Sequence, residues 1–374
     1  MKVVVWDVPT RVFHWLFAVA IVVAWLSGEP DRFRDVHVFA GYLVLGLLVF
    51  RIAWGFVGSR YARFNSFCFS PAQALCYLRD SLKRSATRYL GHNPAGAWVV
   101  YFMLLLALLA TISGMVVLGG EEQQGLFGGI VPFYVGEAFK ETHELLANLI
   151  MVLAVVHVAG VIVESRLHHE NLARSMVSGL KEGDAGQGIT ASHYVAGVVL
   201  LVLAAAFGGL FFSDYFSQTS TRPYLPFIGK SLPDHPHWRE ECGSCHLAFH
   251  PTLLPARSWA KIMEQQNDHF GESLQLDDAL VKDILAFLQK NSAEAELTEA
   301  AHKILESIPP GQTPLRITET KYWIAKHDEI VDAVWSSKEV GAKSNCGACH
   351  LDAERGTFED AAMRIPKAGQ AQQP

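Results

Sequence analysis

The stretch ETHELLANLIMVLAVVHVAGVIVESR, Glu141–Arg166, decides the fold of the first part of this chain. It is apolar and long enough to cross a bilayer, which takes about 20 residues. It nevertheless contains His143 and His157. As a helix it would place them roughly 21 Å apart along the axis and within about 40° of the same face. Because ionisable side chains are costly inside a membrane helix, a functional role is the first hypothesis for both.

Other apolar runs accompany this helix, at about 12–27, 36–56, 98–118 and 191–212. The first run is short and follows Lys2, so a signal peptide is the alternative interpretation. The run contains His14 and no clear small-x-small cleavage site follows it, which favours a retained helix. The sequence therefore predicts five membrane helices.

The segment 57–97, between the second and third runs, predicts the orientation of the chain. It carries six basic side chains and one acid. Basic loops stay in the cytoplasm, so we expect a cytoplasmic N-terminus and a periplasmic C-terminal part. The expected location is the bacterial inner membrane, with several spans.

The 374-residue chain is 50% hydrophobic and 18% charged, but the part after about residue 215 is more polar and contains several prolines. We predict an all-α protein, in which a five-helix membrane bundle precedes a small, mostly α-helical domain. The expected boundaries are 1–216 for the membrane domain, 217–240 for a linker, 241–362 for the periplasmic domain and 363–374 for a tail. A net charge of −6 argues against nucleic acid as a partner.

With this orientation, the histidines of the membrane helices form two level pairs. His14 and His157 lie toward the cytoplasm, and His37 and His143 lie toward the periplasm. Paired neutral imidazoles in an apolar bundle suit haem, whereas zinc takes about four ligands per site. The sequence therefore predicts two non-covalent haems b, one for each pair.

Four smaller features lie near these pairs. Gly41 and Ala18 each follow a predicted ligand by four residues and leave room for a flat ring, or serve as ordinary helix contacts. Arg11 and Arg51 lie near the cytoplasmic pair. They either bind the carboxylates of a haem or extend their charged ends to the interface.

The C-terminal part contains the same five-residue motif twice. The copies are Cys242-Gly-Ser-Cys245-His246 and Cys346-Gly-Ala-Cys349-His350. C-x-x-C-H is typical of c-type haem attachment, in which the thiols bind the porphyrin covalently and the histidine binds iron. A zinc site and a redox dithiol are the alternatives, but two copies that each end in histidine favour two haems c.

Each haem c needs a second axial ligand from elsewhere in the domain. The candidates are His235, His237, His250, His269, His302, His327 and Met263. His269 in NDHFG and His327 in KYWIAKHDEI are distant from the motifs and flanked by aromatic residues. We predict His269 at the first haem c and His327 at the second, with their exchange as the alternative.

The segments WDVPTRVFHW, HVFAGY, RIAWG and ETHELLANLIMVLAVVHVAG resemble the bacterial cytochrome b561 family, which includes the cytochrome b subunits of nickel–iron hydrogenases. The resemblance covers roughly residues 5–215. It implies a membrane dihaem protein that exchanges electrons with the quinone pool. Carried over by motif position, the haem ligands of that family fall on His14, His37, His143 and His157.

The segments ECGSCH, LLPARSW, DHFGE and NCGACH resemble the dihaem cytochrome c family. This resemblance covers nearly all of the C-terminal domain. It implies that each haem c has two histidine ligands and a low potential.

Together these features predict a tetrahaem electron-transfer protein. Electrons from quinol would pass through two haems b and two haems c to a soluble periplasmic cytochrome or other redox protein. The chain would then be an electron carrier, or in a broad sense a quinol–cytochrome oxidoreductase. The alternatives are the same haems with flow from a periplasmic donor to quinone, and a haem-containing anchor or sensor subunit of a larger redox complex. Membrane lipid is an expected partner, and an oligomer is compatible with the sequence.

Overall fold

The computed structural model of this chain describes residues 1–29, 33–219 and 232–366. Its backbone contacts divide the described residues into two units. The first comprises Met1–Gly114 with Lys140–Tyr224, and the second comprises Met115–Phe139 with Leu225–Pro374. The second unit therefore includes a segment between the third and fourth apolar runs as well as the C-terminal residues.

The helices of residues 1–216 include all of the predicted membrane spans. They are α1 (Val8–Ser27), α2 (Arg34–Val57), α3 (Pro71–Leu82), α4 (Pro94–Glu121), α5 (Phe133–Leu167), α6 (Leu172–Ser178), α7 (Tyr194–Phe211) and α8 (Ser213–Phe216). Among the described residues, five of these (α1, α2, α4, α5 and α7) are long and apolar enough to cross a membrane. The predicted number of spans is confirmed.

Helix α5 is longer than predicted, since it begins at Phe133 instead of near Glu141. It remains one continuous helix through both His143 and His157. The core of the first unit is built from apolar side chains of all five spans, among them Phe17, Leu47 and Ile150. The bundle therefore holds the two histidines of α5 at fixed heights beside its neighbours.

Helix α1 begins at Val8, four residues before the apolar run predicted at about 12–27. The Asp7 carboxylate accepts a hydrogen bond of 2.9 Å from the backbone N–H of Thr10, and Pro9 lies in the first turn. The second Asp7 oxygen accepts a hydrogen bond of 3.0 Å from the indole N–H of Trp54 on α2. Capping by Asp and proline in the first turn are typical helix-start features. Asp7 therefore caps α1 and also ties it to the end of α2.

A two-stranded sheet joins the N-terminus to the segment after α5, which the sequence analysis did not predict. Strand β1 (Lys2–Val4) pairs antiparallel with β2 (Leu180–Glu182). Beside it, Arg88 and Lys181 form ion pairs of 2.8 and 3.0 Å with Glu170. The basic segment 57–97, the N-terminus and the segment after α5 thus lie at the same end of the bundle.

The second unit contains short helices packed around aromatic and aliphatic side chains. They are α9 (Pro236–Cys242), α10 (Ala256–Glu264), α11 (Asp278–Lys290), α12 (Glu299–Ser307), α13 (Lys321–Lys326) and α14 (Asp332–Trp335). Trp238, Ile284 and Leu288 form part of the core. Helix α9 begins inside the stretch 217–240 that the sequence analysis assigned to a linker. Residues 220–231 of that linker and 367–374 of the tail lie outside the described residues.

Candidate metal centres

The first pair of imidazoles lies between α1 and α5. The ring centroids of His14 and His157 are 6.3 Å apart, with an angle of 51° between the ring planes. The second pair lies between α2 and α5, where the centroids of His37 and His143 are 5.8 Å apart at 88°. The structure therefore brings together the same two pairs that sequence depth predicted.

These separations can be compared with those of two imidazoles bound to one metal ion. With metal–nitrogen bonds of about 2 Å on opposite sides of the ion, ring centroids are roughly 6 Å apart. Both pairs have this separation, and within the described residues neither pair belongs to a group of three or more metal-ligating side chains. A tetrahedral zinc site takes about four ligands, so the donor set fits haem iron, whose other ligands come from the porphyrin.

Backbone carbonyl groups orient two of these imidazoles. The Nδ1 atom of His37 lies 2.8 Å from the carbonyl oxygen of Ala24, and Nδ1 of His143 lies 3.0 Å from that of Ala110. Because a carbonyl oxygen only accepts, Nδ1 must donate in both cases. The lone pair of each neutral ring is then on Nε2, where it is available to a metal ion.

Helix α4 contributes to the His37–His143 site although it contains no histidine. The Ser113 hydroxyl lies 3.2 Å from Nδ1 of His143. A Cβ atom added at Gly114 would lie 2.8 Å from Cε1 of His143, so this glycine is where the imidazole packs against α4. Gly114 was not predicted from the sequence, because a glycine in an apolar helix does not indicate which side chain of another helix packs against it. Beside His37, a Cβ added at Gly41 meets nothing within 4 Å, which leaves space there as predicted.

We expect Gly114→Val to remove one haem b, because the new side chain would displace the His143 ring from its position opposite His37. Gly46→Val is the matched control, since Gly46 also lies in a membrane helix and a Cβ added there meets nothing within 4 Å. Haem content is measured by the pyridine haemochrome spectrum of each purified variant. Equal haem b in Gly114→Val and Gly46→Val would show that close packing at Gly114 does not support the site.

Three buried polar atoms lie around the His14–His157 pair without a hydrogen-bond partner among the described residues. They are Nη1 of Arg51, Nε of Arg11 and Nδ1 of His92. The Arg51 guanidinium lies over the ring of Phe64, 4.7 Å from its centroid, and the His92 ring is 4.3 Å from that of Phe67. Burial, and then the charge of Arg51, lower the pKa of His92 to about 3. His92 is thus a neutral side chain that packs against Phe67.

The second unit contains two further pairs of imidazoles. The ring centroids of His246 and His269 are 6.3 Å apart, and those of His327 and His350 are 6.2 Å apart. Each pair combines the histidine of one C-x-x-C-H motif with one of the two predicted distal histidines. The structure brings them together in the predicted order and not in the exchanged one.

Local contacts orient these rings as well. Nδ1 of His246 donates to the carbonyl oxygen of Leu247 at 2.7 Å, and Nδ1 of His327 donates to that of Trp323 at 2.7 Å. The Trp323 ring also stacks on His327, with centroids 4.3 Å apart. The lone pair of each neutral ring is therefore on Nε2, where it is available to a metal ion.

The cysteines of the two motifs do not have the features of a redox dithiol. Burial raises the pKa of Cys242 and of Cys346 to about 11. Redox-active cysteines have lowered pKa values, because the thiolate is the reactive form. Within the described residues, neither motif belongs to a group of three or more metal-ligating side chains. The thiols therefore fit covalent attachment of a porphyrin better than either alternative.

The remaining distal candidates are engaged elsewhere. Both ring nitrogens of buried His250 have partners, the Thr252 hydroxyl and the Pro233 carbonyl oxygen, each at 3.0 Å. Met263 lies in the apolar core. The His302 ring stacks on Phe133, with centroids 4.4 Å apart. His235 and His237 lie together beside Asp283. None of these five is paired with a motif histidine in the described structure.

Comparison with known proteins agrees with this division. Residues 5–179 match the model of the family described as prokaryotic cytochrome b561. Residues 238–358 match that of the family described as dihaem cytochrome c. The probable Ni/Fe-hydrogenase B-type cytochrome subunit of Cupriavidus necator is 27% identical over 209 residues, which are 47% of this chain and 86% of that protein.

Two solved structures are similar to the C-terminal domain. A dihaem cytochrome c from Rhodobacter sphaeroides is 37% identical and has a TM-score of 0.31, with 34% of this chain and 100% of that chain covered. A dihaem cytochrome c from Shewanella baltica is 32% identical and has a TM-score of 0.30, with 37% and 98% covered. The family matches and paired imidazoles lead to one conclusion: this chain is a membrane electron-transfer protein that belongs to the prokaryotic cytochrome b561 family in its membrane domain and to the dihaem cytochrome c family in its C-terminal domain.

Proposed function

We propose that this protein transfers electrons from membrane quinol to a soluble periplasmic redox protein, with two haems b and two haems c as carriers. The observation that carries the proposal is the pairing on α5. One continuous helix presents His143 and His157 to partners on two other helices, at heights roughly 21 Å apart. Electrons that pass between two cofactor sites at these heights move across the membrane instead of along one side of it.

The residues divide into three groups by role. His14 with His157 and His37 with His143 hold the haems b, and Cys242, Cys245, Cys346 and Cys349 attach the haems c. His246 with His269 and His327 with His350 supply the axial ligands of the haems c. Haem supplies reversible one-electron transfer when bound, and the protein sets spacing, ligation and dielectric.

Arg11 and Arg51 are proposed to bind the carboxylates of the haem between His14 and His157. Each has a buried guanidinium nitrogen without a hydrogen-bond partner among the described residues. A buried cationic donor left unpaired is costly, and a carboxylate is its strongest partner.

The proposed orientation places the N-terminus and the basic segment 57–97 in the cytoplasm. Their mutual contacts, through β1, β2, Arg88 and Lys181, support a common side for all of these segments. Five spans then place the C-terminal domain in the periplasm, where covalent haem attachment occurs. The proposed domain boundaries keep 1–216 for the membrane domain and 241–362 for the periplasmic domain.

The proposed direction is tested with the full-length protein in liposomes. A lipid-soluble quinol should reduce the haems c of the unmodified protein, as followed by their α-band absorbance. In His157→Leu, quinol should no longer reduce them at a comparable rate, while dithionite still does. Rapid reduction of the haems c by quinol in this variant would overturn the proposed route.

A second candidate function is flow in the opposite direction within a larger complex. It is favoured by the names of the relatives of the membrane domain, which are hydrogenase cytochrome subunits. Equilibrium redox titration of all four haems beside the quinone couple separates the two. Haem c potentials below the quinone couple would favour delivery to quinone, and potentials above it would favour delivery to the periplasmic acceptor.

A further inference from the structure

Three metal-ligating side chains lie together on the surface of the second unit, apart from both C-x-x-C-H motifs. Nδ1 of His237 lies 2.7 Å from an Asp283 carboxylate oxygen, and Nε2 of His235 lies 3.4 Å from the same oxygen. The ligand atoms of all three residues lie within 4.8 Å of one another. Within the described residues, it is the only group of three or more such side chains at this spacing.

Packing between two helices brings these side chains together. His235 and His237 flank Pro236 at the start of α9, and Asp283 lies on α11. The two helices meet through Trp238 and Phe287, whose ring centroids are 5.3 Å apart, and Trp238 is only 1% exposed. The His235 ring also packs on Phe287, at 5.2 Å. The ligands therefore need little rearrangement to converge on one ion.

Hydrogen bonding between histidine and carboxylate is the simpler explanation of the cluster. Asp283 raises the pKa of His237, and His237 lowers the pKa of Asp283, as in any such pair. One carboxylate oxygen, however, lies close to two imidazoles from an H-x-H segment. Each imidazole can donate its own N–H to that oxygen, whereas a metal ion would bind both nitrogens and the oxygen together.

The donor set selects the type of ion. Two imidazoles and one carboxylate suit zinc and copper, while calcium and magnesium prefer oxygen ligands alone. Glu240 and Glu241 add negative charge near His237, and the nearby Arg239 is paired with Asp234 at 3.0 Å. The surroundings therefore attract a cation.

Binding replaces the hydrogen bond between His237 and Asp283 and also changes one contact of His235. Nδ1 of His235 accepts from the backbone N–H of Trp238 at 3.4 Å, so a neutral ring carries its proton on Nε2. A metal ion at Nε2 would move that proton to Nδ1 and break this contact. The contact is longer than a typical N–H···O hydrogen bond of about 3 Å, so its loss costs little.

We propose that His235, His237 and Asp283 bind one zinc ion, with water completing the coordination. The ion would join α9, which ends at Cys242 of the first C-x-x-C-H motif, to α11. It would thus stabilise the segment to which the first haem c is attached. The site does not depend on the quinone or on the direction of electron flow.

The test uses the full-length, haem-loaded protein, purified without a polyhistidine tag and freed of metals with a chelator. Zinc is added and excess is removed by desalting. Elemental analysis should then give one zinc per chain beside the haem iron. X-ray absorption at the zinc edge, which iron does not obscure, should show two imidazole ligands. Affinity is measured by competition with a chromophoric chelator.

His237→Gln and Asp283→Asn should each weaken zinc binding by at least ~10-fold, because even the loss of an outer-shell partner costs about 10–100-fold. The matched control is His168→Gln, since His168 faces a single carboxylate, Glu164, at 3.4 Å. Its zinc affinity should equal that of the unmodified protein. Unchanged covalent haem spectra would show that the variants are folded.

Two outcomes would overturn the proposal. One is equal zinc affinity in all three variants and the unmodified protein. The other is an absorption spectrum with no imidazole contribution. Neither result bears on electron transfer, which is measured separately from the rates of haem reduction.

Discussion

Replacing His157 with leucine is expected to remove one haem b and to leave both haems c in place. His14 would lose the imidazole whose ring centroid lies 6.3 Å from its own, so this non-covalent haem would keep one axial ligand instead of two, and we expect it to be lost during purification. The haems c are attached through cysteine thiols and do not depend on α5 for ligands. Pyridine haemochrome analysis should give equal amounts of haem b and haem c in the unmodified protein and about half the haem b in the variant.

His143→Leu tests the other membrane pair in the same way. It should remove the haem held with His37, and the double variant should contain haem c alone. The control is His168→Gln, at the C-terminal side of α5, which should retain both haems b. Loss of covalent haem from His157→Leu with haem b retained would contradict the assignment of this histidine.

The second large effect is expected for His327→Ala. The Nδ1 hydrogen bond to Trp323 and the 6.2 Å centroid distance to His350 place His327 where it would bind the second haem c opposite that motif histidine. Its removal would open an axial position without breaking the covalent attachment. We expect the spectrum of one haem c to change from low spin to high spin, and the reduced variant to bind carbon monoxide.

His269→Ala should have the same effect on the first haem c. Met263→Leu is the control, since it replaces a buried core side chain by one of similar volume and should leave the spectrum unchanged. The unmodified protein should show no spectral shift with carbon monoxide, because two histidine ligands are proposed for every haem. A shift in the unmodified protein would favour a gas-binding sensor instead.

The proposed haem-binding residues differ in how much of their arrangement can be predicted from the sequence. Each C-x-x-C-H motif places two attachment thiols and one axial imidazole within five residues, so local covalent chemistry identifies them. The spacing of His143 and His157 follows from helix geometry alone. The basic segment 57–97 predicts which ends of the helices lie on the same side of the membrane. These features depend on short stretches of chain, where residue type and periodicity determine structure directly.

The partners of these residues were decided by tertiary packing. His269 and His250 are both buried or half-buried histidines of the same domain, yet one faces His246 and the other is held by Thr252 and Pro233. Gly114 and Ser113 support His143 from a helix without histidine, and His92 is packed between Trp6 and Phe67 in a segment that reads as a polar loop.

The sequence by itself determined the membrane spans, the attachment motifs and the heights of the membrane histidines, because each is set by neighbours along the chain. Only the tertiary structure decided which distal histidine meets which motif, which glycine a ring packs against, and that β1 and β2 close the end of the bundle. Those contacts join residues far apart in the chain, and their geometry depends on how whole helices pack.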